Sequence, residues 1–142
     1  MSVNETLSET LKNNKQLVRR LYEDCINPGK VELLAQYIAD DFVGSPGDKG
    51  PAEFISTIVA LRTGFPDVRF EIEDLIAEGD RVALRWKFQA THMGAFVGVP
   101  PSRKRVTQTG TVIYQVRDGK LIRAWIQVDR LGLLQQMEAT PA

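Results

Sequence analysis

The 142-residue sequence predicts an α+β fold in which an antiparallel sheet wraps around helices. Two observations carry that expectation. Apolar residues recur at helical spacing in the first half of the chain, and from Asp67 onward they alternate with a period of two. Helices come first and a meander of long strands follows, which is the order of a segregated α+β chain and not of a parallel α/β one.

The stretch "ETLSETLKNNKQLVRRLYEDCIN" places Leu7, Leu11, Val18, Leu21, Tyr22 and Cys25 along one helical face and stops at Asn27-Pro28-Gly29. A short second helix is expected in "KVELLAQYIADDF", with Val31, Leu34, Tyr37 and Ile38 together. After the loop "VGSPGDKGP", Pro51 suits the first turn of a third helix, which turns Phe54, Ile55, Ile58 and Leu61 inward and stops at Gly64. In "DVRFEIEDLIAEG" Val68, Phe70 and Ile72 alternate with charged neighbours, as in a half-buried strand. Gly79-Asp80 marks a hairpin, and "RVALRWKFQATH" follows with Val82, Leu84, Trp86, Phe88, Ala90 and His92 on one face. "KRVTQTGTVIYQV", the turn "RDGK" and "LIRAWIQVD" continue the meander, and "RLGLLQQM" reads as a tail helix. Helices thus occupy about residues 5–64, the sheet about 67–129 and the tail helix about 130–138 of a single domain spanning 1–142.

Composition narrows the function classes. A hydrophobic fraction of 43% with 25% charged residues is the balance of a globular protein. Acids and bases cancel at 18 each, so no overall field recruits nucleic acid or an anionic membrane. No apolar run approaches the roughly 20 residues of a membrane helix, and "MSVNETLSETLKNN" lacks the regions of a signal peptide, so a cytoplasmic protein is expected. One cysteine, Cys25, allows no internal disulfide and no cysteine-rich metal site, and one histidine is too few for a zinc site, so no metal is expected. "GDKG" lacks the length and the Lys-Ser/Thr ending of a phosphate loop, and "SRKR" without interleaved aromatics reads as a solvated turn.

The single histidine, His92, falls at the end of its strand, in register with Trp86 and Phe88 at the rim of the apolar face. It is either a structural residue bonded to backbone or an acid–base group. As a base it would need an acid from another strand, since an isolated imidazole is a weak one. Asp129, closing "AWIQVD", is the candidate. Its alternative role is to cap the tail helix that follows, because aspartate is a favoured N-cap.

The chain resembles the SnoaL-like polyketide cyclases of the nuclear transport factor 2-like superfamily. The resemblance runs from about Asn14 to Met137 and rests on "NKQLVRRLYEDCIN", "ADDFV", "FPDVRFEIEDLIAEGDRVALRW", "ATHMGAFVGVPPSRKRV" and "VRDGKLIRAWIQVDRLGLLQQM". It implies a cone of curved antiparallel sheet closed by N-terminal helices, an α+β barrel with a deep pocket in its concave face. It also implies cofactor-independent acid–base chemistry, an aldol-type ring closure or related isomerisation of a hydrophobic carbonyl compound. By this resemblance His92 and Asp129 are the catalytic pair. Ala124, Ile126, Gly44 and Ser45 stand where many relatives carry polar groups.

The expected substrate-binding residues are Tyr22 from the first helix, Ile58 from the third, Trp86 and Phe88 from the sheet, Phe96 from the loop and Trp125 from the last strand, with Phe54 as core or lining. Which face of the last strand looks inward is open: Ile122, Ala124, Ile126 and Val128 share one parity, and Trp125, Gln127 and Asp129 the other. The expected partner is a hydrophobic small molecule. A binding protein without turnover and a dimeric interaction module are the alternatives on the same fold. A homodimer is expected through the convex face, where Arg85, Lys87, Gln115 and Gln127 lie among apolar neighbours.

Overall fold

The computed structural model describes residues 3–45 and 47–138, with side chains from residue 6 onward. Helix α1 spans Val3–Arg20; among its described side chains Leu7 is 57% exposed, whereas Leu17 and Val18 pack on the core. The helix then widens into a π turn, Leu21–Ile26, whose bonds skip five residues, as from Asn27 N–H to the Tyr22 carbonyl (2.8 Å). Leu21, Tyr22, Cys25 and Ile26 are all buried there. The Arg62 guanidinium closes the end of this turn on the Ile26 carbonyl (3.0 Å). The Asn27 amide then pairs with the backbone of Phe70 in both directions, at 3.0 and 2.7 Å, as a strand residue would.

The expected second helix is only a 3-10 segment, Val31–Gln36, and Ile38–Ser45 is a strand, β1. The reason is long-range. β1 lies parallel to β5 (Lys120–Val128), with Ile38 opposite Leu121 and Gly44 opposite Ala124, and the Leu121 N–H reaches back to the Tyr37 carbonyl (2.8 Å). Sheet pairing overrides a helical spacing too short to hold a helix alone. Helix α2 (Gly50–Gly64) carries Pro in its first turn and buries Phe54 and Ile58, with the Phe54 ring edge-on to Phe42 at 5.6 Å.

Strands β2 (Phe70–Glu78), β3 (Arg81–Thr91), β4 (Arg105–Arg117) and β5 form the meander, and the sheet order is β1-β5-β4-β3-β2. The fold is therefore the expected α+β one, a curved five-stranded sheet with N-terminal helices, its edge extended by one parallel strand. Even-numbered residues of β3 and β4 face the helices and are buried; odd-numbered ones face outward. In β5 a register shift beside Gln115 and Val116 takes Ile122 out of the sequence-based alternation, leaving Leu121 and Ala124 buried. The tail helix α3 (Arg130–Glu138) seals the β4 edge: the Gln136 side chain accepts the Thr107 N–H and donates to its carbonyl, both at 2.8 Å. Among the described residues no helix is long and apolar enough to cross a membrane.

Gly110 sets the interior width at the middle of the sheet. It lies opposite Trp86 in the β3–β4 ladder, and a Cβ there would overlap the indole, with Cη2 only 2.8 Å away. Trp86 in turn stacks on Phe88 (5.7 Å, 15°) and takes the edge of Phe70 at 4.7 Å. Gly110→Ala should lower unfolding stability by about 2 kcal/mol through overpacking. Urea denaturation monitored by tryptophan fluorescence checks this, and an unchanged midpoint would mean that the indole is free to move aside.

Candidate functional site

The interior receives few polar side chains, and each arrives by strand parity or from the helix that covers it. His92 extends the even face of β3 past Thr91 and is fully buried. Its backbone continues the ladder, donating to the Lys104 carbonyl (2.9 Å) and accepting from Arg103 N–H (2.8 Å). Its ring packs against Phe65 at 5.4 Å, and Phe65 meets Phe96 at 5.2 Å. Asp67 fixes the residue before it, accepting the Thr91 N–H (2.8 Å) and hydroxyl (3.0 Å). Burial alone would raise the Asp67 carboxyl, but these two donors hold it below the ordinary aspartate value.

The His92 ring is bonded on one side only. Nδ1 lies 3.1 Å from the Ser102 N–H and 2.9 Å from the Ser102 hydroxyl, whereas Nε2 is buried with no partner among the described residues. A buried orphan of this kind costs roughly 1–3 kcal/mol, so a group that supplies an acceptor there gains it back.

Gln108, opposite Phe88, is the other buried polar residue of this end and donates to the Asp129 carbonyl (3.3 Å). At the far end of β4, Tyr114 lies opposite Val82 and shares a 2.6 Å hydroxyl contact with Tyr22. Burial pushes both phenols well above the ordinary tyrosine value, and proximity to Tyr114 raises Tyr22 further. Among the described residues the inward polar set is thus one imidazole, one amide and two phenols, beside the buried Cys25 thiol. Every carboxylate whose side chain is described is at least partly exposed, and no group of three or more His, Cys, Asp or Glu among those residues is placed to hold a metal ion.

The residues expected from the sequence divide between the two faces. Tyr22, Ile58, Trp86, Phe88 and His92 are buried on the inner side, and Phe96 is half-buried against Phe65 and Gly64. Trp125 lies on the outer side instead, opposite Ile113, with the guanidiniums of Arg81 (4.9 Å) and Arg123 (4.8 Å) against its ring. Asp129 is also outward. Its carboxylate borders a shallow depression of about 390 Å³ lined by Arg85, Thr109, Thr111 and Gln127, and Oδ1 accepts the Gly132 N–H at 2.9 Å. That is an N-cap, and a Cβ at Gly132 would meet the carboxylate, which would have to shift to make room. The structure therefore does not join His92 and Asp129: each has its own hydrogen-bond partner, on opposite faces of the sheet.

Gly44 and Ala124 are cross-strand neighbours, both buried, with the Phe42 ring against Gly44. Two of the positions read as departures from relatives thus form one apolar corner. Sequence reasoning missed Ser102, Phe65, Gln108 and Tyr114. Strand parity was a sufficient signal for Gln108 and Tyr114, which share the even face of β4 with Gly110 and Val112. Nothing in the loop composition singled out Ser102.

The loop carrying Phe96 turns tightly, with Phe96 and Val99 exchanging backbone bonds at 3.0 and 2.9 Å around Val97 (φ 45°) and Gly98 (φ 80°). A β-branched residue in the left-handed region is strained by about 1–3 kcal/mol, a cost held where the surrounding structure demands it.

A model of the SnoaL-like polyketide cyclase family matches residues 16–137, and the chain belongs to that family. It is 27% identical over 131 residues to the aklanonic acid methyl ester cyclase DauD of Streptomyces sp. (strain C5), covering 85% of this chain and 79% of DauD. The cyclase of the same description from Streptomyces peucetius, DnrD, is 27% identical over 131 residues, with 85% of this chain and 88% of DnrD covered. A solved SnoaL-like structure from Jannaschia sp. CCS1 superposes with a TM-score of 0.85 at 23% identity, over 93% of this chain and 96% of that one, and shows the fold.

Asp129→Ala should cost about 1 kcal/mol of stability through loss of the cap, whereas Asp129→Asn should stay within a few tenths. Chemical denaturation of the three proteins side by side checks this; equal losses for alanine and asparagine would point to a role for the charge.

Proposed function

We propose that the protein is a cofactor-independent cyclase of hydrophobic, carbonyl-rich small molecules, with the His92 Nε2–H as the group that holds the reacting carbonyl. The observation that carries this reading is the buried Nε2 without a partner, set among Phe65 and its aromatic neighbours. A donor in an apolar, water-poor site stabilises an enolate oxygen far better than the same donor in water. Family membership and the ester cyclases among the relatives point to the same class of substrate.

In this reading the substrate carries a carbon already acidified by two flanking carbonyls. That carbon loses its proton to bulk water before the substrate enters, the enolate oxygen is then held by Nε2–H, and the carbon closes on a second carbonyl whose oxygen takes a proton back on release. Asp129 has no part in the reaction while it caps the tail helix. One observation favours a second reading, a protein that binds such a ligand without turning it over: no described carboxylate is buried to serve as a strong base.

Aklanonic acid methyl ester, the compound in the relatives' names, is the first probe. The wild type should accelerate its ring closure as followed by liquid chromatography. His92→Leu should lower the rate about 100-fold, the scale of losing one preorganised donor. Binding without acceleration would select the second reading, and neither binding nor turnover would remove both for this substrate.

The outward face, with Arg81 and Arg123 against the Trp125 ring and Ile113 39% exposed, is proposed as the contact of a homodimer. Light scattering at micromolar concentration should give twice the 15.9 kDa chain mass, and a monomer would end that proposal.

A further inference from the structure

We infer that Ser102 is a positioning residue that fixes His92 as a neutral donor through Nε2, an inference that rests on the reading of His92 given above. The bonds around the ring determine where its proton sits. The Ser102 backbone N–H, 3.1 Å from Nδ1, can only donate, so Nδ1 presents a lone pair. The Ser102 hydroxyl oxygen accepts the Lys104 N–H at 3.3 Å, which leaves its own proton for Nδ1 at 2.9 Å. Two donors therefore converge on one ring nitrogen, and the ring proton belongs on Nε2. The other tautomer would set two N–H groups head to head and bury a bare lone pair at Nε2.

The segment that carries Ser102 is held rigidly enough to impose this choice. Pro100 and Pro101 precede it, and their fixed φ angles restrict the approach. Arg103, at φ 62°, turns the chain so that its N–H reaches the His92 carbonyl. A histidine kept only for packing would have both nitrogens satisfied; here one is served twice and the other not at all. The ligand group that completes the arrangement is an acceptor oxygen, a carbonyl or the enolate formed from it. With Nδ1 occupied, His92 polarises that oxygen and does not act as a base at Nδ1.

The chain has one histidine, so its imidazole gives a single set of ring signals and the tautomer can be read directly in the full-length protein. Nitrogen-15 to proton correlation spectra at alkaline pH, where free imidazole is neutral, should show the wild type as the Nε2–H tautomer. Ser102→Ala, which loses one of the two donors, should move the tautomer ratio about five-fold toward Nδ1–H. Ser102→Thr should restore the wild-type ratio, and Ser102→Cys, a weaker donor of similar shape, should fall between. Thermal melts of each variant show that the comparison is made on folded protein.

A wild-type spectrum dominated by Nδ1–H, or a Ser102→Ala ratio equal to that of the wild type, would overturn the inference. Benzoylacetone, an apolar β-diketone with an enol oxygen, should shift the wild-type Nε2 signal when added. If the tautomer results hold and benzoylacetone leaves Nε2 unmoved, the positioning role of Ser102 stands and the ligand reading falls.

Discussion

Eleven successive residues of β3 pair with β4 without a register shift, from Arg81 opposite Gln115 to Thr91 opposite Arg105, and the other elements take their places from that ladder. The side-chain period of a strand is two, so a slip of one residue would exchange the faces completely. Arg85, Lys87 and Gln89 would turn inward and Trp86, Phe88 and His92 outward. The burial cost of such an exchange holds the register along its whole length. Gly110 then has to be a glycine because Trp86 lies across it, and the continuation of the ladder through His92 and Lys104 carries the imidazole into the interior.

The parts of this arrangement that were legible in the sequence depend on local periodicity. β2 to β5 announce themselves by alternation, and the even face of β3 already grouped His92 with Trp86 and Phe88. The tail helix and its aspartate cap were readable from residue type and position. What was not legible is fixed by distant partners. Ile38–Ser45 has no clean alternation, with Asp40 and Asp41 both exposed between buried residues, and it becomes a strand only because β5 lies beside it. The register shift opposite Gln115 and Val116 reassigns Ile122, an event that no pattern in "LIRAWIQV" marks. Ser102 acquires its role from an imidazole ten residues away across a loop.

The candidate site differs in kind from a paired acid and base. Its inward polar groups are an imidazole, an amide and two phenols, and the carboxylate expected to face them lies on the other side of the sheet as a helix cap. An apolar interior without a buried carboxylate among the described residues suits the stabilisation of charge on oxygen more than the removal of a proton from carbon. The apolar corner at Gly44 and Ala124 fits the same division, because a polar group at either position would have entered from the β1–β5 side. The chemistry proposed for this member of the SnoaL-like family would therefore concentrate at the His92 end of the sheet.

β2, with its irregular pairing beside Ile72 and Asp74, also governs what the molecule does in a crowded solution. It is the last strand of the sheet and offers one row of backbone groups to any passing chain. Glu71 and Glu78 on that strand are joined by Glu73 and Asp74, which pair with Arg85 of β3 at 3.5 and 2.7 Å, and the register breaks between Ile72 and Asp74. An extended segment approaching to add a further strand would meet repulsion and a poor hydrogen-bonding template. The sheet is in this way protected against open-ended growth into aggregates along β2.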